Sequence, residues 1–161
     1  MPKTIYDSET LKEGQQVITA AAFIHHEFEG VHKVFMAKRA EMKKFLPGIF
    51  ELPGGHIDFG EDIIKGLKRE VMEEHGVRIS VGDPIAVFTY INEIKKSHSI
   101  QVTYFAELLD PLEKIVIHPE DHSEYRWVSQ KEAPNYKPKN DPELESIMKG
   151  FSVLDGNALK F

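Results

Sequence analysis

The chain has 161 residues, 41% hydrophobic and 29% charged, which is enough for one domain with a packed core and ordinary for a soluble globular protein. Twenty basic against 26 acidic residues leave a net charge of −6, which excludes a general electrostatic pull toward nucleic acid or an anionic membrane. The absence of cysteine excludes disulfides, thiolate metal sites and cysteine nucleophiles, and no apolar run approaches the roughly 18 residues that span a bilayer. A polyanionic ligand would therefore need local cations or metal ions. The start, Met1-Pro2-Lys3-Thr4, lacks the apolar core of a signal peptide, so a cytoplasmic location is expected.

Residues 1–15 are polar and read as a loosely held lead-in to a single domain spanning 1–161. Val17 to Ile24 is a continuous run of apolar and β-branched residues, the pattern of a buried strand. A polar connection over His26 to Gly30 leads to a second strand, Lys33 to Arg39, and Ile49 to Leu52 is a short strand stopped by Pro53-Gly54-Gly55. His56 to Phe59 reads as extended. A helix follows from about Glu61 to His75, with Glu61 and Asp62 suited to its N-terminus and Gly76 to its C-terminal cap. Pro84 to Ile94 and His98 to Leu109 read as long strands. In the second, Gln101, Thr103 and Phe105 share one face, while Val102, Tyr104 and Ala106 share the other. Glu124 to Val128 is a further strand, residues 131–140 a loop, and Asp141-Pro142 opens a last helix as N-cap and first turn. This order predicts an α/β (α+β) layered fold with a mixed sheet.

The helix over 61–75 breaks several local rules at once. At about 100° per residue, Glu70, Glu73, Glu74 and Gly66 fall on one stripe, with Ile64, Leu67 and Val71 on a neighbouring one. The apolar stripe should pack on the sheet, which puts the acidic stripe at the edge of a cleft. Like charges three and four apart cost roughly 0.2–0.5 kcal/mol per pair. They also sit in the last turns, where the helix dipole favours cations. Gly66 costs roughly a further 1 kcal/mol relative to Ala. Hard divalent cations resolve the conflict, because clustered carboxylates are what they bind, and Gly66 would leave room for metal or phosphate. The plain alternative is a solvated acidic face.

Residues 55–77 resemble the Nudix box through Gly55, Glu61, Arg69, Glu70, Val71, Glu73, Glu74, Gly76 and Val77, with no departure from its pattern. Seven fixed residues recur by chance in about one window in 10⁸ or fewer. The resemblance implies a Nudix-type α/β/α sandwich with a mixed β-sheet. It also implies that Glu70, Glu73 and Glu74 bind Mg²⁺ (or Mn²⁺), with the Gly55 carbonyl as a further ligand and Glu61 and Arg69 in support. The reaction so implied is hydrolysis of a diphosphate linkage in a nucleotide-like substrate, with metals neutralising the phosphates and acidifying water. A general base is needed. Glu70 or Glu73 could serve, but many relatives use a carboxylate shortly before a Trp. Here that loop offers Asp121 or Glu120, and less readily Glu124, ahead of Trp127.

In MutT-type members a basic pair ending the second strand contacts phosphates, here Lys38-Arg39, and an Asn before an acidic-Pro pair reads the base, here Asn140. Their plain readings are a strand-end charge pair and part of a helix cap. Phe45, Phe50, Phe88 and Tyr90 could stack on a base or sit in the core. The eight histidines show no zinc spacing and read as surface or structural, His122 being the best exception. The expected activity is conversion of a normal or modified nucleoside triphosphate to monophosphate and pyrophosphate. ADP-ribose or nucleotide-sugar hydrolysis is the alternative, although residues 1–15 look short for the extra sheet of many such relatives. An isopentenyl diphosphate isomerase would need a cysteine, and a non-catalytic nucleotide sensor would be expected to lack box glutamates. The expected partner is a small nucleotide-like diphosphate, with no nucleic acid and no membrane, and a monomer or homodimer as the assembly.

Overall fold

The structure is a computed structural model and describes residues 14–161. The lead-in expected over 1–15 lies outside them except for Gly14 and Gln15, and Gln15 already pairs in the first strand. In chain order the elements are β1 (Gln15–Phe28), β2 (Val31–Arg39), β3 (Phe50–Glu51), β4 (Gly54–His56), α1 (Ile63–His75), β5 (Ile79–Asn92), β6 (Ser97–Leu108), β7 (His122–Ser129) and α2 (Pro142–Leu154).

β1 organises the sheet. From Gln15 to Ile24 it runs parallel to β6, from Ser97 to Ala106. Along its other edge Thr19–Ala21 pair antiparallel with β4, and His25–Phe28 pair with β2. The result is a mixed sheet in the order β3-β2-β1-β6-β5, with β4 against β1 and β7 against β2. The Ala20–Ile24 run is continuously apolar because both its faces are covered. Ala20, Ala22 and Ile24 share a core with Leu67 and Val71 of α1, while Ala21 and Phe23 share one with Ile147 and Phe151 of α2. Each of these larger side chains contributes about 1.5–3 kcal/mol by burial. The expected α/β/α layering is therefore present.

Several boundaries differ from the sequence reading. The link between β1 and β2 is not a connection over 26–30 but a two-residue turn at Glu29-Gly30, both at positive φ (49° and 82°), as a tight hairpin needs. Gly54 and Gly55 do not stop a strand; they form β4. A Cβ on Gly54 would collide with the Ala20 carbonyl oxygen, so β4 lies this close to β1 because no side chain intervenes. β5 starts at Ile79 rather than Pro84, and Pro84 sits at a register irregularity, where a missing N–H is tolerated. In α1 the cap is Asp62, whose carboxylate accepts from Lys65 N at 2.9 Å, so Glu61 lies ahead of the helix. Gly76 ends α1 at φ 67°, the left-handed cap its position predicts. Asp141 caps α2 by accepting from Glu143 N at 2.8 Å. Among the described residues, no helix is long and apolar enough to cross a membrane.

Candidate active site

β4 and α1 set one wall of a cleft of about 560 Å³, lined on this side by Gly55, His56, Glu70, Glu73 and Glu74. The loop leading into α1 is pinned to β1 by Ala22 N donating to Pro53 O (2.8 Å) and Ile57 N to Ile18 O (2.9 Å). A Cβ on Gly55 would lie 2.5 Å from Glu70 Oε2, so the bare backbone lets that carboxylate rest against β4. Gly66 has a different role from the one its stripe suggested. A Cβ there would lie 2.7 Å from both Glu61 Oε1 and Ile57 Cδ1, so the room it leaves is filled by a supporting carboxylate and a core side chain, not by metal or phosphate.

Arg69 is the hub of this wall. Its Nε and Nη2 donate to the two Glu61 oxygens at 2.8 and 3.0 Å, a bidentate pair. Nη1 donates to Glu70 Oε1 (3.0 Å) and Glu73 Oε2 (3.1 Å), and Nη2 also donates to the His56 carbonyl (3.1 Å). The i, i+4 pair with Glu73 is thus one arm of a larger fork. These bonds hold Glu61 at about 2, well below the usual carboxylate range, chiefly through Arg69 and then through the Asp58 N–H. Glu70 moves the other way: burial raises it, against the pull of Arg69.

Glu74 carries the largest electrostatic burden. It is largely but not fully buried at the base of the acidic stripe, and burial, then Glu51, Glu70 and Asp121, push it up to about 9, with Arg39 acting in opposition. The opposite wall supplies cations. The segment between β2 and β3 places Lys43, Lys44 and Phe45 at the cleft, and it is tied down by Arg39 Nε donating to Phe45 O (2.9 Å) and Lys43 Nζ to Asp121 Oδ1 (2.7 Å). The Lys43 bond, above all, holds Asp121 below its ordinary value. The β5–β6 hairpin adds Ile94 and Lys95. Asn92 shapes that turn: its side-chain oxygen accepts from Ile94 N (3.1 Å) and Lys95 N (3.0 Å). Among the described residues, Lys44 and Lys95 pair with no carboxylate.

A second cavity, of about 340 Å³, adjoins the first and shares Arg39, Phe45, Glu51, Tyr90, Gln101 and Glu143 with it. Phe45 and Tyr90 stack nearly parallel (12°, 6.0 Å) along both, and Phe88 and Asn140 line the second. Beneath them Glu143 accepts from Leu52 N (3.0 Å), Gln101 Nε2 (2.8 Å) and Lys137 Nζ (3.2 Å). Lys137 also donates to the Phe50 carbonyl and pairs with Asp141 (2.8 Å). Burial alone would lower Lys137, but Glu143 and Asp141 outweigh it and keep the ammonium charged.

Of the residues singled out in the sequence, Gly55, Glu70, Glu73, Glu74, Asp121 and Arg39 line one cleft. Glu61 and Arg69 brace it from behind. Lys38 does not line it: neighbours on a strand face opposite sides, so the pair Lys38-Arg39 delivers only Arg39. Arg39 is itself engaged with Glu51 at 3.3 Å. Glu120 is exposed in the turn before β7 and also stands outside the cleft. Asn140 is exposed and lines only the second cavity, the α2 cap being Asp141. Phe50 packs edge-on against Tyr136, at the core rather than the cleft. Glu51, which bonds Arg39 and lies 2.9 Å from His122 Nε2, was not singled out in the sequence. Nor were Lys43, Lys44 and Lys95, and Gln101 was placed only on a strand face. Only Glu51, directly before Leu52-Pro53-Gly54, carried a positional signal.

The donor set fits a hard divalent cation. The three box glutamates and the Gly55 backbone offer only oxygen, and the burial that pushes Glu74 up to about 9 is what a bound cation would oppose.

The NUDIX domain family model matches residues 16–151. Over 107 residues, 66% of this chain, the sequence is 24% identical to an ADP-ribose pyrophosphatase of Methanocaldococcus jannaschii. The chain spans under two thirds of the curated relatives it matches, 62% of that protein and 16% of another. The fold is shared with the MutT protein of Methanosarcina mazei Go1 (TM-score 0.70, 21% identity, 92% of this chain and 100% of that one). It is also shared with a C. elegans Ap4A hydrolase (TM-score 0.71, 19% identity, 88% and 99%). With the family model covering most of its length and the box complete from Gly55 to Val77, this chain belongs to the NUDIX domain family.

Proposed function

We propose that the protein is a divalent-metal-dependent pyrophosphohydrolase that converts a normal or modified nucleoside triphosphate to the monophosphate and pyrophosphate. The observation that carries this reading is the convergence of Glu70, Glu73, Glu74 and Asp121 on one cleft with Lys44 and Lys95. Nudix hydrolases generally use divalent ions, and Mg²⁺ (or Mn²⁺) would be held here by Glu70, Glu73, Glu74 and the Gly55 carbonyl. A bound divalent ion supplies neutralisation of phosphate charge and acidification of water. Arg69 orients Glu70 and Glu73 through its fork and leaves Glu74 to burial. Asp121, kept ionised by Lys43, takes the proton from water as oxygen adds to one phosphorus of the bridge and the bond to the bridging oxygen breaks. Lys44 and Lys95 bind the remaining phosphate oxygens. The Phe45–Tyr90 stack and Asn140 give the second cavity an aromatic face and an amide, which suits a base.

A second reading is hydrolysis of ADP-ribose, favoured by the similarity to the Methanocaldococcus jannaschii ADP-ribose pyrophosphatase. A screen of normal and oxidised nucleoside triphosphates, ADP-ribose, nucleotide sugars and dinucleoside polyphosphates with Mg²⁺ separates the two. The products should be resolved by chromatography. Turnover of triphosphates to monophosphate plus pyrophosphate is expected. Exclusive turnover of ADP-ribose would replace the substrate assignment, and turnover of no substrate would overturn the hydrolytic reading.

A further inference from the structure

Behind the acidic stripe, Glu74 meets two imidazoles that the hydrolytic reading does not use. His75, the last residue of α1, is 1% exposed, and His122, the first of β7, is 2% exposed. His75 Nδ1 lies 3.2 Å from the Val116 carbonyl oxygen. A carbonyl only accepts, so Nδ1 carries the proton and Nε2 keeps its lone pair. Among the described residues that Nε2 is buried without a hydrogen-bond partner, and it lies 3.7 Å from Glu74 Oε2. His122 Nε2 lies 3.7 Å from the same oxygen, and its Nδ1 is a second buried nitrogen without a partner among the described residues. The rings stand 5.2 Å apart. Buried polar atoms of this kind are uncommon and call for an occupant.

We propose that Glu74, His75 and His122 form a site for a divalent transition-metal ion of the Zn²⁺ type, separate in chemistry from the all-oxygen cleft set. One donor atom from each lies within 4.8 Å of the other two. A tetrahedral ion with bonds of about 2.0–2.1 Å needs donors about 3.4 Å apart, so side-chain shifts of about an ångström close the set. The partner that orients an imidazole ligand is in place behind His75, the Val116 carbonyl; Glu51 faces His122 Nε2 itself, at 2.9 Å, and gives up that contact when the ion binds. Imidazole nitrogen selects Zn²⁺, Co²⁺ or Ni²⁺ over Mg²⁺, so the nitrogens belong to one kind of ion while Glu74 is shared. Occupation draws Glu74 toward the histidines and away from its neighbours in the cleft. An ion here therefore antagonises the hydrolytic site rather than serving it. The two histidines lie 47 positions apart (122 − 75), so no local motif announces them.

The test is titration of the whole protein with Co²⁺ in excess Mg²⁺, followed by visible absorption, then displacement with Zn²⁺. One equivalent of bound Co²⁺ with ligand-field bands is expected, weakened by about tenfold or more in His122→Asn and His75→Gln. Because His75→Gln perturbs the core, the imidazole nitrogen resonances of the unaltered protein are also followed by NMR as Zn²⁺ is added. Movement of both His75 and His122 supports the site. Absence of Co²⁺ binding, equal binding in the variants, or unmoved imidazole resonances would overturn it and leave water as the occupant. Every readout is binding, so the result stands apart from whether the hydrolytic reading holds.

Discussion

Replacing Glu74 with glutamine separates the electrostatic cost of the acidic stripe from its use. In metal-free protein the folded-state carboxyl titrates at about 9 against an ordinary 4.5, chiefly through burial. A carboxyl raised on folding takes up a proton as the chain folds, so stability is full below pH 4.5 and falls as pH rises toward 9. Each pH unit in that window costs about 1.4 kcal/mol. At pH 7 the interval is 7 − 4.5 = 2.5 units, a penalty of about 3 kcal/mol. Glutamine keeps the shape and titrates nothing. With chelator present, Glu74→Gln should match the parent near pH 4.5 and exceed it by about 3 kcal/mol at pH 7, as read by urea denaturation across pH. Added Mg²⁺ should reverse the order, because binding stabilises only the chain that keeps its ligand. Parallel stability curves for the two proteins in chelator would refute the reasoning, as would a parent indifferent to Mg²⁺.

Gly55→Ala puts a methyl 2.5 Å from Glu70 Oε2 and should weaken Mg²⁺ binding, measured by calorimetry, with the far-UV spectrum unchanged. Arg69→Lys loses the fork to Glu61, Glu70 and Glu73 and should lower turnover by about tenfold or more, a loss that near-parental kcat would contradict. Asp121→Asn should lower kcat by about 10² or more, whereas Glu120→Gln, outside the cleft, should stay within about twofold; equal effects would remove Asp121 as the base. Gly150→Ala places a methyl 2.5 Å from the Phe23 ring, and overpacking should outweigh the better helix propensity, costing about 1–2 kcal/mol in urea denaturation.

What could be read in advance follows from how local each signal is. The stripe of Glu70, Glu73 and Glu74, the apolar stripe beside it and the caps at Asp141 and Gly76 are set by neighbours within a few residues, and all appear where spacing puts them. The strand cores were legible for the same reason, since Ala20–Ile24 needs both faces covered wherever it lies. Strand ends were not. Pairing with β6 carries β5 back to Ile79, past Pro84, which by itself argues for a start. The stripe on which Gly66 lies is visible in the sequence, but Glu61 folding back over it is not. Lys38 and Arg39 are adjacent on β2, where alternation sets neighbouring side chains on opposite faces, and of the two Arg39 lines the cleft. Lys44, Lys95, Glu51 and His122 reach the cleft from four separate segments, and only the closed sheet brings them together.

The parallel pairing of β1 with β6 also fixes when the site comes into being. Gln15 and Ser97 are partners 82 positions apart (97 − 15), and β4, which carries Gly55, pairs with β1. Contacts of that range repay their loop-closure entropy late, which slows folding. A growing chain that has just released α1 carries every box glutamate, yet β1 still shows a bare, strongly apolar edge of the kind that invites pairing with another chain. Synthesis must pass residue 106 before that edge can close, and residue 143 before the last cleft carboxylate arrives. Until then the protein owns its carboxylates without their arrangement, and its hazard during that interval is aggregation rather than premature chemistry.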